Sequence, residues 1–258
     1  MRRTLAASLV LTAVFGVAVG HSADSPAVGE AVKPAGANLP AGRGSSDPLE
    51  GLSGGAKLHA LVDAIVATQR STQSLRSRFV QVKNSALLLE PVESRGSLVF
   101  QAPGQVRWVY DEPEPMVVLF DDEILTTYIP GQMRAERVKV SRKQRRFVKV
   151  KAGTQPLDEL RSHFRITLSD PGPSAPYKLT LEPSNRVLQR KLQSVVLEVD
   201  RKLMLPVVVE YLEADGDFTR YEFSHIELNP GLAPDAFRLE LGSDVRIDTL
   251  DAAAMAGG

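Results

Sequence analysis

Residues 96–131 read GSLVFQAPGQVRWVYDEPEPMVVLFDDEILTTYIPG, four short apolar runs separated by turn residues. Leu98 and Phe100 alternate with Val99 and Gln101 until Ala102-Pro103-Gly104 breaks the run. Val106, Trp108 and Tyr110 alternate with Arg107 and Val109 as far as Asp111-Glu112-Pro113. Met116 to Phe120 is apolar on both faces, Asp121-Asp122 turns it, and Ile124 to Ile129 runs up to Pro130-Gly131. Runs of this length with period-two alternation and Pro, Gly or Asp between them predict four consecutive antiparallel strands joined by tight turns. A sheet with one face in solvent is polar on that face. Here both faces are apolar, so both are covered or one lines a cavity.

On the N-terminal side, Leu58, Leu61, Val62, Ile65 and Val66 recur at helical spacing and predict a helix from Lys57 to about Leu75, covering something apolar. Phe79 and the residues to about Leu88 then begin the sheet. On the C-terminal side, residues 132–140 predict a strand. Residues 155–164 predict a short helix: Pro156 suits an early position, Asp158 and Glu159 suit the positive end of the helix dipole, and Leu157, Leu160 and Phe164 form one face. Strands are predicted over 164–169, 177–181, 192–200, 206–212, 218–228 and 237–241, with Asp215-Gly216 as a hairpin signal. Residues 185–191 read as a short polar helix or loop. About eleven strands and two or three helices make one domain, 56–247, followed by a disordered tail, 248–258.

The chain has 258 residues, zero formal net charge and no cysteine. Neutrality gives no bulk field for nucleic acid or membrane. The lack of cysteine excludes a disulfide framework, a thiolate metal site, a cysteine nucleophile and a lipidated N-terminal cysteine. Arg2-Arg3, an apolar run of 15 residues from Leu5 to Val19, and small residues up to Ala23 read as a cleaved secretory signal, residues 1–23. The run falls short of the roughly 20 residues that span a bilayer. Residues 24–55 are rich in Pro, Gly, Ala and Ser and read as a disordered linker. Expected localisation is the periplasm.

Between Arg134 and Lys151 lie nine basic residues and one acid, Glu136. Such a run is the solvated face of an edge strand, or it docks an acidic partner or anionic headgroups through Arg142, Lys143, Arg145 and Arg146. Aromatic residues do not interleave with it beyond Phe147, which disfavours nucleic acid.

Motifs for chemistry are few. Gly51-Leu52-Ser53-Gly54-Gly55 matches the nucleophile-elbow pattern, but a linker precedes it where the elbow needs a strand. His59, His163 and His225 are far apart, without metal-ligand spacing. Carboxylate pairs such as Asp121-Asp122 sit at predicted turns, which explains them. The reading is a protein that is not an enzyme, with no catalytic residue, no metal and no cofactor.

A glycine opening a strand, then Pro-Gly, Arg-Trp-x-Tyr, x-Pro, an apolar strand, Asp-Asp and a strand ending Tyr-x-Pro resembles the periplasmic outer-membrane lipoprotein carriers of the LolA type. Leu75-Arg76-Ser77-Arg78-Phe79-Val80-Gln81 and the closing Ala236-Phe237-Arg238-Leu239 with Val245-Arg246-Ile247 extend the similarity over about 57–247. The resemblance implies a mainly β fold, an incomplete antiparallel barrel with helices over its mouth, holding acyl chains in an apolar cavity. It implies a monomeric carrier that takes lipoproteins, or a related lipid, from an inner-membrane release complex to an outer-membrane acceptor. Phe79, Leu98, Phe100, Trp108, Val118 and Tyr128 are the expected cavity wall; Leu157, Leu160 and Phe164 are the expected lid. Those carriers place a basic residue before the proline that opens the Trp strand; here Ala102 precedes Pro103. Related sensor domains share the scaffold, so the alternative is a membrane-tethered module that senses lipid or lipoprotein.

Overall fold

The computed structural model describes residues 47–86, 88–121, 123–140 and 157–251. Twelve strands form one open sheet: β1 (Ser74–Asn84), β2 (Val92–Gln101), β3 (Gln105–Glu112), β4 (Met116–Asp121), β5 (Ile124–Ile129), β6 (Arg134–Lys139), β7 (Phe164–Ser169), β8 (Tyr177–Pro183), β9 (Leu192–Val199), β10 (Pro206–Glu213), β11 (Phe218–Leu228) and β12 (Arg246–Asp251). Their spatial order is β12-β6-β5-β4-β3-β2-β1-β11-β10-β9-β8-β7. Strand β1 pairs with both β2 and β11, so it is the seam between two meanders, β2–β6 and β7–β11. Every pairing is antiparallel except β12 with β6. The predicted four-strand meander is β2 to β5.

Helix α1 (Gly54–Ser71) buries Leu61, Val62, Ile65 and Val66, the stripe read from the sequence. Burying each such side chain contributes about 1.5–3 kcal/mol, which fixes which face the helix turns inward. Its C-terminal corner is held by Asn229, the residue after β11: its Oδ1 accepts the Gln73 and Ser74 N–H groups at 2.6 and 3.3 Å, and its Nδ2 donates to Ser71 O. Two very short helices follow, α2 (Leu157–Leu160) and α3 (Arg186–Gln189). Helix α1 packs against α2 and β7.

The second face of the meander is covered too. Alternation puts Arg107 on the outside of β3, and its Nη1 donates to the carbonyls of Ala236 at 3.0 Å and Arg238 at 3.4 Å. The chain returning from β11 to β12 therefore lies across the outside of the first meander, which accounts for its apolar outer residues, Leu119 among them.

Several boundaries differ from the sequence reading. Helix α1 starts at Gly54 and ends at Ser71, and residues 47–49 of the supposed linker are docked, with Leu49 buried. Residues 237–241 form no strand; a turn and irregular chain fit them to the sheet's outer surface instead. Residues 248–251 belong to β12, because the parallel pairing with β6 gives this tail a partner that local sequence could not announce. Of the helix expected over 155–164, the described residues 157–160 are helical, and Phe164 opens β7.

Candidate functional site

The concave face has two parts. Under the first meander it is filled with rings. The Phe79 centroid lies 4.8 Å from Trp108 and 5.0 Å from Tyr110, both edge-on, and Tyr221 stands 5.3 Å from Trp108. Edge-to-face pairs at these separations add about 0.5–1.5 kcal/mol beyond burial. Gly96 makes room for this packing: a Cβ there would lie 1.9 Å from Val109 O and 2.8 Å from the Phe79 ring. The buried Gln81 Nε2 donates to Tyr221 Oη at 3.0 Å, satisfying both groups inside the apolar layer.

Under the second meander the close ring-to-ring packing gives way to a mixed aliphatic and aromatic lining and to space. A cavity of about 160 Å³ lies between α1, α2 and the sheet. Leu75, Ser77, Leu98 and Phe100 line it from β1 and β2, Leu181, Val195, Leu197, Val209 and Tyr211 from β8 to β10, and Phe223 and Ile226 from β11. Ile65, Gln69 and Thr72 of the α1 end, with Leu157, Leu160 and Phe164, close it. No charged residue lines it among the described residues. The α2 turn is held to α1 by polar contacts: Gln69 Oε1 accepts the Leu157 N–H at 3.0 Å, and Arg70 pairs with Asp158 at 2.5 Å. The ion pair is open to solvent on the arginine side, so it contributes at most about 1 kcal/mol.

The structure sorts the expected wall residues into three places. Leu98 and Phe100 lie on the cavity wall, as do the three expected lid residues. Phe79, Trp108 and Val118 share the concave face but belong to the solid part of the core, away from the wall. Tyr128 is on the opposite face: Asp121 pairs with Ile124, which sets Val118 opposite Thr127 and Tyr128 opposite Val117. One position of parity is enough to turn a side chain outward. The apolar wall from β8 to β11 has no distinct signal in the sequence, where it reads as ordinary strand core. Arg142, Lys143, Arg145 and Arg146 lie outside the described residues.

Ser53 is exposed at the N-terminus of α1, and residues 48–51 before it form a turn rather than the strand an elbow requires. His59 and His225 are exposed, and no group of three or more His, Asp or Glu could hold a metal among the described residues. Ala102 sits in the β2–β3 turn, where its N–H donates to Gln73 O at 2.8 Å. It stands beside the cavity's α1 corner and brings no charge there.

A polar latch at the other side of the second meander has no signal in the sequence. Arg201 Nη1 donates to Asp47 Oδ2 at 2.6 Å, its Nη2 to Asp170, and its Nε to Ala175 O at 2.6 Å. Its guanidinium lies 3.8 Å from the Tyr177 ring centroid, and Lys57 Nζ donates to Asp170 Oδ2 at 2.5 Å. Hydrogen bonds from Lys57 and then Arg201 hold the Asp170 carboxyl well below the usual carboxylate range. The latch fixes where the N-terminal segment reaches the sheet and ties it to the β7–β8 and β9–β10 loops.

The sequence model of the outer membrane lipoprotein carrier protein LolA matches residues 70–240. The chain belongs to the LolA family. No curated protein matches it in sequence. Among solved structures, MucB is similar at 15% identity and TM-score 0.47, over 76% of this chain and 66% of that one, just under two thirds of MucB's length. The LolA superfamily protein NE2245 of Nitrosomonas europaea matches at 12% identity and TM-score 0.38, over 70% of this chain and 97% of that one. The Mycobacterium tuberculosis lipoprotein LppX matches at 9% identity and TM-score 0.39, over 69% and 99%.

Proposed function

We propose that this protein carries the acyl chains of lipoproteins, or a related lipid, through the periplasm in the cavity under α1 and α2, with no covalent chemistry. The observation that supports this is an apolar cavity of about 160 Å³, with no charged lining among the described residues, beside an otherwise densely packed core. A dry void near 150 Å³ accepts a molecule the size of benzene, so the resting cavity takes a short stretch of one chain. Each buried CH₂ contributes about 0.8 kcal/mol, and longer insertion gains affinity as the lid yields. The lid is short: Leu157 and Leu160 seat it on the core, and its polar ties to α1 are the Leu157 N–H bond to Gln69 and solvent-exposed ion pairs.

In this reading the signal is removed on export, and the mature monomer moves between an inner-membrane donor and an outer-membrane acceptor. The segment carrying Arg142, Lys143, Arg145 and Arg146 docks it to an anionic surface. With Ala102 where the carriers have a basic residue, closure depends on the α1–α2 contacts, and hand-over differs from theirs accordingly. The test is native mass spectrometry of the mature protein from a periplasmic extract, with lipid analysis after denaturation. The expected result is a mass lacking the first 20 or so residues and acylated species released on unfolding. A retained N-terminus with no bound lipid, and no uptake of added lipoprotein, would instead favour the tethered sensing module.

A further inference from the structure

Ser77 is the exception in the cavity wall. It is 2% exposed, and its hydroxyl has no hydrogen-bond partner. Of the four buried side-chain polar atoms left unpaired among the described residues, on Ser77, Arg107, Thr127 and His163, it is the one on the cavity. Neighbouring polar groups are already engaged: Thr72 Oγ1 donates to Thr68 O at 2.7 Å, and Gln69 Oε1 holds the lid at Leu157. Ser77 sits between Leu75 and Phe79 on the concave face of β1, paired with Leu98, where β11 opposite it breaks register. An alanine would pack there equally well and would leave no buried hydroxyl unsatisfied, which is a costly condition.

We infer that the Ser77 hydroxyl is a donor for a neutral carbonyl, the ester or amide that joins an acyl chain to its carrier molecule, and that the cavity selects chains bearing one. This rests on the acyl-binding reading and adds what the cavity recognises. The wall offers an apolar sleeve for the chain and, in the unpartnered Ser77 hydroxyl, a buried donor for an oxygen. Among the described residues it offers no lysine, arginine or histidine to compensate a carboxylate or a phosphate, so an ionised head stays outside. The inference thus separates acyl esters and amides from plain hydrocarbons on one side and free fatty acids on the other.

The test is equilibrium dialysis of radiolabelled undecane, methyl decanoate and decanoate at pH 8 against the full mature chain and its Ser77→Ala and Ser77→Thr variants. Removing the donor should weaken methyl decanoate about fivefold, the factor one ordinary neutral hydrogen bond supplies, and leave undecane unchanged. Ser77→Thr should keep most of the ester affinity, and decanoate should bind more weakly than its ester. Thermal melting of Ser77→Ala should match or exceed the parent, showing that the affinity change is not unfolding. Equal losses for ester and alkane, or none for either, would overturn the donor role while leaving acyl binding intact. Failure of all three probes to bind would overturn the acyl-binding reading and this inference with it.

Discussion

The two halves of the concave face solve the same problem differently. Under the first meander, Phe79, Trp108, Tyr110 and Tyr221 meet ring to ring, and Gly96 gives way so that they fit. Under the second, Val195, Leu197 and Val209 line a space that stays open beneath α1. Close-packed interiors resist small changes in volume, so the first half acts as a rigid floor. The second half holds open space beneath a short lid whose Leu157, Leu160 and Phe164 side chains are buried against it, so changing its contents means moving that lid. A carrier needs both, since an empty site must not collapse and a filled one must release.

Phe79→Ala should have the largest effect. Truncating a buried phenylalanine costs about 3–5 kcal/mol, read as a lower urea midpoint, while the remaining folded protein keeps its acyl-chain affinity. Were affinity to fall and stability hold, the floor and the cavity would not be separate regions. Val195→Phe tests the other half. The added ring should fill the void, abolish uptake of methyl decanoate in the dialysis assay, and leave the melting temperature within a few degrees of the parent. Strong destabilisation would mean the cavity is narrower in solution than the structure shows.

A smaller effect lies outside both halves. Arg145→Ala should weaken co-sedimentation with anionic phosphatidylglycerol vesicles by about 1 kcal/mol at low salt and leave acyl binding untouched. The smallest concerns the latch. Asp170 is depressed in the folded state by Lys57 and Arg201, so its contribution is complete above the unfolded value of about 3.9 and is lost as pH falls through the lower folded value. Asp170→Asn should therefore lower the melting temperature slightly at pH 7 and flatten the acid side of its pH profile. An unchanged profile would show that the latch gives no pH-dependent stability.

The meander was legible because period-two alternation with Pro, Gly and Asp breaks is a local signal, and so was the apolar stripe of α1. Within the site, Leu98, Phe100 and the apolar face at Leu157 and Leu160 could be named in advance, since both elements announce their periodicity. Tyr128 could not, because its face depends on which residues of the β4–β5 turn pair. Nor could the solid packing around Phe79 be told from a cavity wall, since inward-facing aromatic residues look alike in either setting.

The amino-acid sequence by itself determined the strand succession from β1 to β11, the helix that precedes it, the lack of cysteine chemistry and the family resemblance. These depend on neighbours a few positions apart. The tertiary structure alone decided that β1 is the seam, that residues 230–245 cover the outside of the first meander, and that Arg201 holds Asp47. It also decided that the open space lies under the second meander, with Ser77 facing it. Those features join residues distant in sequence, and void volume is what remains after every side chain has been placed.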